Sequence, residues 1–182
     1  MIIRIYRKNN LYYIAFMIWF VSDCLSGTMI KNIAGISLSK VDDIVNVLVL
    51  LFLMFKIFFK QQYSFRQIVF ITFCTVPMVF SAIASANLNV LCLWIFLVAA
   101  KDIDINRLVK DVYFALVVLI ILVCTLCLAG VIDDFTMYRD GIRHSLGFGH
   151  PNALGMRLFQ FVICFLIIHN GKMLLQMAVT FA

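Results

Sequence analysis

The residues best suited to chemistry lie close together, in the segment GIRHSLGFGHPNALG at positions 141 to 155. This segment holds Arg143, His144, His150, four glycines and a Pro-Asn pair, whereas the flanking residues are mainly Leu, Ile, Val and Phe. Guanidinium groups bind phosphate oxygens through paired donors, and histidine side chains change charge near neutral pH. The cluster therefore predicts a site that binds an anion.

The HPN step within this cluster predicts the start of a helix. Pro151 suits the first helical turn, and either Asn152 or His150 is expected to cap it. The free backbone N–H groups and the positive end of the dipole would then favour an anion. Gly147 and Gly149 carry no side chain, so a ligand could approach the main chain closely.

Two further arginines extend the predicted anion site. Arg139 lies just before the cluster, and Arg157 lies one or two turns inside the following apolar segment, where a cation is costly and is a functional candidate by default. Simpler interpretations stand beside this one: Arg157 could reach the lipid headgroups, and the histidines could be a loop residue and a helix cap. The loop arginines could be solvated charges paired with nearby carboxylates, namely Asp133, Asp134 and Asp140.

The composition indicates an integral membrane protein. Of 182 residues, 64% are hydrophobic and 13% are charged, against roughly 45–50% and 25% in soluble domains. Apolar runs long enough to cross a bilayer must be helical, because lipid cannot satisfy an open backbone. Cys124 and Cys127 form a CxxC pair in mid-span with no other ligand nearby, so the sequence predicts neither a metal site nor a cofactor.

We expect an all-α fold: one integral membrane domain over residues 1–182, a polytopic bundle of about six spans, and the N-terminal part of a longer protein. The uncharged stretch 67–100 is interpreted as two spans with an outer turn near Asn87, and KDIDINRLVKD at 101–111 as a separate interfacial helix. The predicted spans are 11–27, 41–59, 67–86, 88–100, 112–132 and 152–168, followed by an incomplete seventh at 173–182.

The distribution of Lys and Arg predicts the orientation. With six spans, ten of the 15 cations fall on one side and four on the other, while Arg157 lies within a span. Cations favour the cytoplasmic side, so the N-terminus is expected to be cytoplasmic and the cluster to be in an outer loop. Treating 67–100 as a single span would invert everything downstream and remove this bias. The net charge of +6 therefore reflects topology, and no nucleic-acid partner is predicted.

The motif RxSLGFGHPNxLG, with YRDGIR upstream, resembles the Wzy-type polysaccharide polymerases of bacterial exopolysaccharide, capsule and O-antigen synthesis, which belong with the O-antigen ligase superfamily. The resemblance rests on Arg143, the run from Ser145 to Asn152, Leu154 and Gly155, and covers the N-terminal portion of such proteins. It implies a GT-C-like glycosyltransferase in the bacterial cytoplasmic membrane. Its substrate would be an oligosaccharide repeat unit on undecaprenyl diphosphate, with other components of the assembly machinery as partners.

The resemblance also implies roles for individual residues. Arg143 would bind the diphosphate, helped by Arg139 and Arg157, and His150 would orient or deprotonate an acceptor hydroxyl. Three alternatives remain open from sequence: a ligase that moves finished chains to another acceptor, a transporter or flippase of lipid-linked sugars, and a non-catalytic membrane partner.

Overall fold

The computed structural model describes residues 2–30, 32–33, 36–85, 89–138 and 141–169. This part of the chain is mostly helical, with two short antiparallel hairpins that the all-α expectation lacked. The helices are α1 (Ile2–Ser26), α2 (Leu38–Lys60), α3 (Phe65–Ser85), α4 (Asn89–Ala99), α5 (Ile105–Leu128) and α6 (Pro151–His169). The strands are β1 (Asn32–Ile33), β2 (Ile36–Ser37), β3 (Thr136–Tyr138) and β4 (Ile142–His144).

Three of these helices, α3, α5 and α6, are long and apolar enough to cross a membrane. The large apolar side chains of α3 are mostly exposed, as expected of a surface that contacts lipid rather than water. The described apolar parts of α1 and α4 are shorter. α2 is long enough, but it carries five charged residues, which are Lys40, Asp42, Asp43, Lys56 and Lys60.

Each of the first six predicted spans coincides over most of its length with one of the six helices. The incomplete segment at 173–182 and the predicted turn at Asn87 lie outside the described residues. The separate interfacial helix predicted at 101–111 is wrong. Asp104 caps α5 by accepting hydrogen bonds from the N–H groups of Asn106 and Arg107, and the helix then continues unbroken to Leu128.

The described residues fall into two compact units. The first comprises the chain up to Trp19 together with Asp43–Ile103, and the second comprises Phe20–Asp42 together with the chain from Asp104 onward.

In the first unit, α3 and α4 form a helical hairpin. The capping pair Ser64 and Gln67 starts α3, each side chain bonding to the backbone N–H of the other. The indole N–H of Trp94 donates to the hydroxyl of Thr75 at 2.8 Å and joins the two helices. Aromatic rings fill the remaining core with centroids 5.0–6.1 Å apart, and these rings belong to Tyr12, Phe16, Trp19 and Phe96.

In the second unit, α5 packs against α6, and the rings of Tyr113 and Phe161 stack 5.1 Å apart. Leu116 and Val123 are buried on α5. The loop that joins the two helices contains the β3–β4 hairpin, in which Thr136 pairs with His144. The elements of this unit therefore position the residues that the sequence singles out.

Candidate functional site

The loop between α5 and α6 is organised around the carboxylate of Asp134. Its Oδ1 accepts hydrogen bonds from the N–H groups of Ser145 at 3.0 Å and Leu146 at 2.8 Å. Its Oδ2 lies 2.6 Å from His144 Nδ1. The hydroxyl of Ser145 in turn accepts from the N–H of Phe135 at 3.0 Å. One carboxylate thus holds both flanks of the hairpin and the turn that follows it.

The turn after β4 is tight and left-handed. The N–H of Phe148 donates to the carbonyl of Ser145 at 3.1 Å, and the two central residues, Leu146 and Gly147, have φ values of 49° and 86°. Positive φ at both central positions defines a type I′ turn. Leucine adopts this conformation rarely, so the bond from its N–H to Asp134 helps to offset the strain.

Gly147 is required by packing. A Cβ at this position would lie 2.7 Å from Ile132 Cδ1, 3.0 Å from Cys127 Cβ and 3.1 Å from Val123 Cγ1. Gly147 is also buried. The structure corrects the expectation that Gly147 leaves room for a ligand. The space beside Gly147 is filled by side chains of α5 and by Ile132, which follows α5.

The turn is also tethered to the chain that follows α1. Gly147 accepts a hydrogen bond from the N–H of Met29 at 2.8 Å, and Gly149 donates to the carbonyl of Gly27 at 2.9 Å. Thr28 and Phe148 form the antiparallel bridge between these bonds. Phe148 is 3% exposed, so the turn is anchored on both sides and presents β4 on a rigid base.

α6 begins at Pro151, as the sequence predicts, and His150 is its cap. His150 Nδ1 accepts a hydrogen bond from the N–H of Asn152 at 3.1 Å. The carbonyl of His150 accepts from the N–H of Ala153 at 2.9 Å and of Leu154 at 3.4 Å. These N–H groups are therefore occupied, and the expectation that the start of this helix offers free donors to an anion is wrong.

Arg143 is the exposed cation of the site. It lies in the middle of β4 opposite Met137, and all three residues of β4 are exposed. In the part of the chain that the structure describes, no hydrogen bond or ion pair engages its guanidinium. Arg139 lies outside the described residues.

His144 and His150 differ in which ring nitrogen carries the proton of the neutral imidazole. An ionised carboxylate only accepts hydrogen bonds, so Nδ1 of His144 carries the proton that it shares with Asp134, and Nε2 of the neutral ring keeps its lone pair. His150 Nδ1 accepts from a backbone N–H, so the proton of its neutral ring is on Nε2. His144 therefore presents a base to solvent, with 58% of its side chain exposed, and His150 presents a donor.

The charge of Asp134 is favoured by its surroundings. The hydrogen bond from His144 is the largest effect and lowers the pKa of this carboxyl below its usual 3.8. Burial comes next and opposes it, and the bonds from the N–H groups of Leu146 and Ser145 lower the pKa further. Asp134 is thus ionised at neutral pH and fixes the orientation of the imidazole.

Arg157 is committed to an ion pair. Its Nη2 lies 2.7 Å from Asp23 Oδ2, and its Nη1 donates to Gln160 Oε1 at 3.1 Å. The guanidinium also lies 6.0 Å from the ring of Phe20. Its side chain is 17% exposed. Pairing with a carboxylate is how a cation inside a membrane segment is usually accommodated, and it is a different outcome from contact with lipid headgroups.

The structure places Arg143, Gly149 and His150 in one anchored loop and Asn152 in the first turn of α6 that follows it, and their predicted roles in binding or catalysis stay predictions. Asp134 and Asp23 are the functional candidates that sequence reasoning missed. The signal for Asp23 was available, because an isolated carboxylate and an isolated cation in two apolar segments predict a pair. Asp134 was one of three loop carboxylates with no feature to separate it from its neighbours.

Among the described residues, no group of three or more His, Cys, Asp or Glu side chains is placed to hold a metal ion. No protein-family model, curated protein or solved structure matches the chain.

Proposed function

We propose that the chain is a bacterial membrane glycosyltransferase that joins oligosaccharide repeat units carried on undecaprenyl diphosphate into exopolysaccharide or capsule. The observation that carries this proposal is Arg143, an exposed guanidinium with no partner among the described residues, held on a hairpin that Asp134 and two backbone tethers fix in place. A planar guanidinium is well matched to the oxygens of a diphosphate.

In the proposed reaction, a hydroxyl of the acceptor sugar attacks the anomeric carbon of the donor. The new carbon–oxygen bond forms as the bond to the lipid diphosphate breaks, and its electron pair leaves with the diphosphate. Arg143 stabilises the charge that develops on this leaving group. The hydroxyl proton passes to a base.

The geometry favours His144 over His150 as that base, because the lone pair of His144 is on the exposed Nε2 and Asp134 orients the ring. An oriented His–carboxylate pair is the arrangement that serves general base catalysis in hydrolytic triads. His150 is left with a role in orienting the acceptor through its Nε2–H.

The placement of Arg143 and His144 limits how a substrate can bind. Consecutive residues of a strand project to opposite faces, and in the described chain β4 pairs with β3 alone. A donor that meets Arg143 and an acceptor that meets His144 would therefore meet along the open edge of β4. This arrangement suits a displacement in which the nucleophile and the leaving group approach the carbon from opposite sides.

The proposal includes a topology. Six spans in a GT-C-like bundle, with the N-terminus in the cytoplasm, would put the β3–β4 hairpin on the outer face of the cytoplasmic membrane. The excess of Lys and Arg on the opposite side of the predicted spans supports this orientation.

The test is complementation of a strain from which the gene has been deleted. We expect Arg143→Ala to lower the rate of chain extension by roughly 100-fold or more, the usual loss when a donor to a developing charge is removed, and to abolish long polymer on gels. Arg143→Lys keeps the charge but loses the planar fork, so we expect intermediate lengths. Lys40→Ala, at another exposed cation of the same unit, is the matched control and should give wild-type lengths.

Normal polymer from the Arg143→Ala strain would contradict the proposal. Transfer of finished chains to a different acceptor would indicate a ligase, and movement of labelled units across vesicle membranes without chain growth would indicate a transporter. His144→Gln is expected to reduce extension strongly and His150→Gln only weakly, and the reverse order would return the base role to His150.

A further inference from the structure

A second surface, in the first unit, has a chemistry that the proposed glycosyl transfer does not use. An open groove of about 490 Å³ runs between α3 and α4. Its walls are apolar and aromatic, and two of the wall side chains, Phe70 and Leu97, are exposed while the others are half-buried. These wall residues are Phe70, Ile71, Trp94 and Leu97.

The walls of the groove are firmly held. The bond from Trp94 to Thr75 fixes the indole ring against α3. The lining on α3 runs from Arg66 to Ile71, a rise of roughly 8 Å at about 1.5 Å per residue, so the groove holds one section of an acyl chain and not its whole length. Because α3 is one of the helices able to cross a membrane, hydrocarbon is the expected neighbour of this surface.

One end of the groove is positively charged. Arg66, in the first turn of α3, and Lys101, just after α4, both line it. The ammonium of Lys101 donates to the carbonyl of Gln62 and lies 4.9 Å from the centroid of the Tyr63 ring. An ammonium has three donors, so two remain for a ligand. Arg66 is exposed.

Two nearby groups bear on this charge. Asp102 follows Lys101 in the chain, and its charge adds to the effect of burial in raising the pKa of Tyr63, but Asp102 does not line the groove. Burial is the main cause that raises the pKa of Tyr63, so its hydroxyl is neutral and offers no negative charge. An apolar trough that ends at two cations is complementary to a lipid with an anionic headgroup.

We propose that this groove binds a glycerophospholipid with an anionic headgroup, its phosphate at Arg66 and Lys101 and one acyl chain along Phe70, Ile71, Trp94 and Leu97. Basic pockets between membrane helices on the cytoplasmic side bind such headgroups, and the cation count predicts that this end of α3 is cytoplasmic. A second copy of the chain would be a poor occupant, because each copy carries a net charge of +6.

The test is native mass spectrometry of the purified full chain with phosphatidylglycerol and with phosphatidylcholine of identical acyl chains. We expect phosphatidylglycerol to bind more tightly. Neutralising one basic residue near a lipid surface costs about fivefold in affinity and neutralising two about 30-fold. Arg66→Gln and Lys101→Gln should each show the smaller loss and the double variant the larger.

The matched control is Lys60→Gln, because Lys60 is an exposed cation of the same unit that does not line the groove. It should leave the preference unchanged, and melting temperatures should show that every variant folds. Equal binding of the two lipids, an unchanged double variant, an equal loss in Lys60→Gln, or tighter binding of undecaprenyl phosphate than of phosphatidylglycerol would each overturn the proposal. None of these results depends on glycosyl transfer.

Discussion

In the loop that precedes α6, one carboxylate accepts hydrogen bonds from backbone N–H groups, whereas at the end of α4 side-chain donors serve backbone carbonyls. There, Lys56 Nζ donates to the carbonyl of Ala99 at 2.6 Å and Gln61 Nε2 donates to the same oxygen at 3.0 Å. The hydroxyl of Tyr63 lies 2.9 Å from the carbonyl of Val98. Both regions satisfy backbone groups that secondary structure leaves unpaired.

The two regions differ in what they leave for a ligand. Lys56 is 1% exposed. Its ammonium interacts with the negative C-terminal end of α4 and with the ring of Tyr12, whose centroid lies 4.8 Å away. In the loop, Asp134 bears the structural task, and Arg143 and the Nε2 of His144 stay accessible. In a mainly apolar chain, a polar side chain is thus a functional candidate only when its hydrogen-bonding groups are not already bonded to the backbone.

Among variants that test this contrast between the two regions, Gly147→Ala is expected to cause the largest loss of stability. The new Cβ would overlap Ile132 and press on α5 at a φ of 86°, and we expect a loss of about 3 kcal/mol in unfolding free energy. Thermal unfolding in detergent measures this loss. Gly155→Ala, at a helical glycine with nothing within 4 Å of a Cβ, is the control and should be neutral or stabilising. Equal stability of the two variants would show that the turn is not anchored against α5.

A smaller effect is expected at the end of α4. Tyr63→Phe removes a hydroxyl that lies near the carbonyl of Val98 and near Gln61 Oε1, to only one of which it can donate at a time. We expect a loss of about 1 kcal/mol in unfolding free energy and no change in polymer length. A shortened polymer from a stable Tyr63→Phe variant would mean that the end of α4 also takes part in the reaction. The proposed difference in role between this region and the loop that precedes α6 would then be wrong.

The smallest effect concerns the pH dependence of the loop. Because the pKa of Asp134 is lowered in the fold, the stability that it contributes is complete above the unfolded value, close to the usual 3.8, and is lost as pH falls through the lower folded value. The amide NMR signals of Ser145 and Leu146 should therefore stay constant down to about pH 4 and shift below it. A shift centred above 4 would contradict the hydrogen bonds assigned to Asp134, and in Asp134→Asn the transition should disappear.

Much of the fold could be predicted because hydropathy alone decides it. Apolar runs such as 112–132 must be helical if they enter lipid, and α5 accordingly lies over most of that run. The start of α6 followed from a local rule, since Pro151 has no N–H to lose in a first turn. Its cap was left open between two residues, and the structure selects His150.

The site was harder to predict because its contacts join residues distant in sequence. Asp134 meets the N–H of Ser145 only after β3 and β4 pair, and Arg157 meets Asp23 across 134 residues. The cation count that predicted the orientation treats every Lys and Arg alike, although the ammonium of Lys56 is buried against the end of α4. Composition gives the number of cations, but packing decides which of them remain available.

The most direct measurement of the central claim is the binding of undecaprenyl diphosphate to the purified chain and to its Arg143→Gln variant. Both proteins should carry Arg66→Gln and Lys101→Gln so that the groove between α3 and α4 does not contribute. Loss of a bidentate, charge-assisted contact is expected to weaken binding by at least about tenfold. Equal affinity of the two proteins would contradict the account, because Arg143 would then have no part in holding the lipid diphosphate.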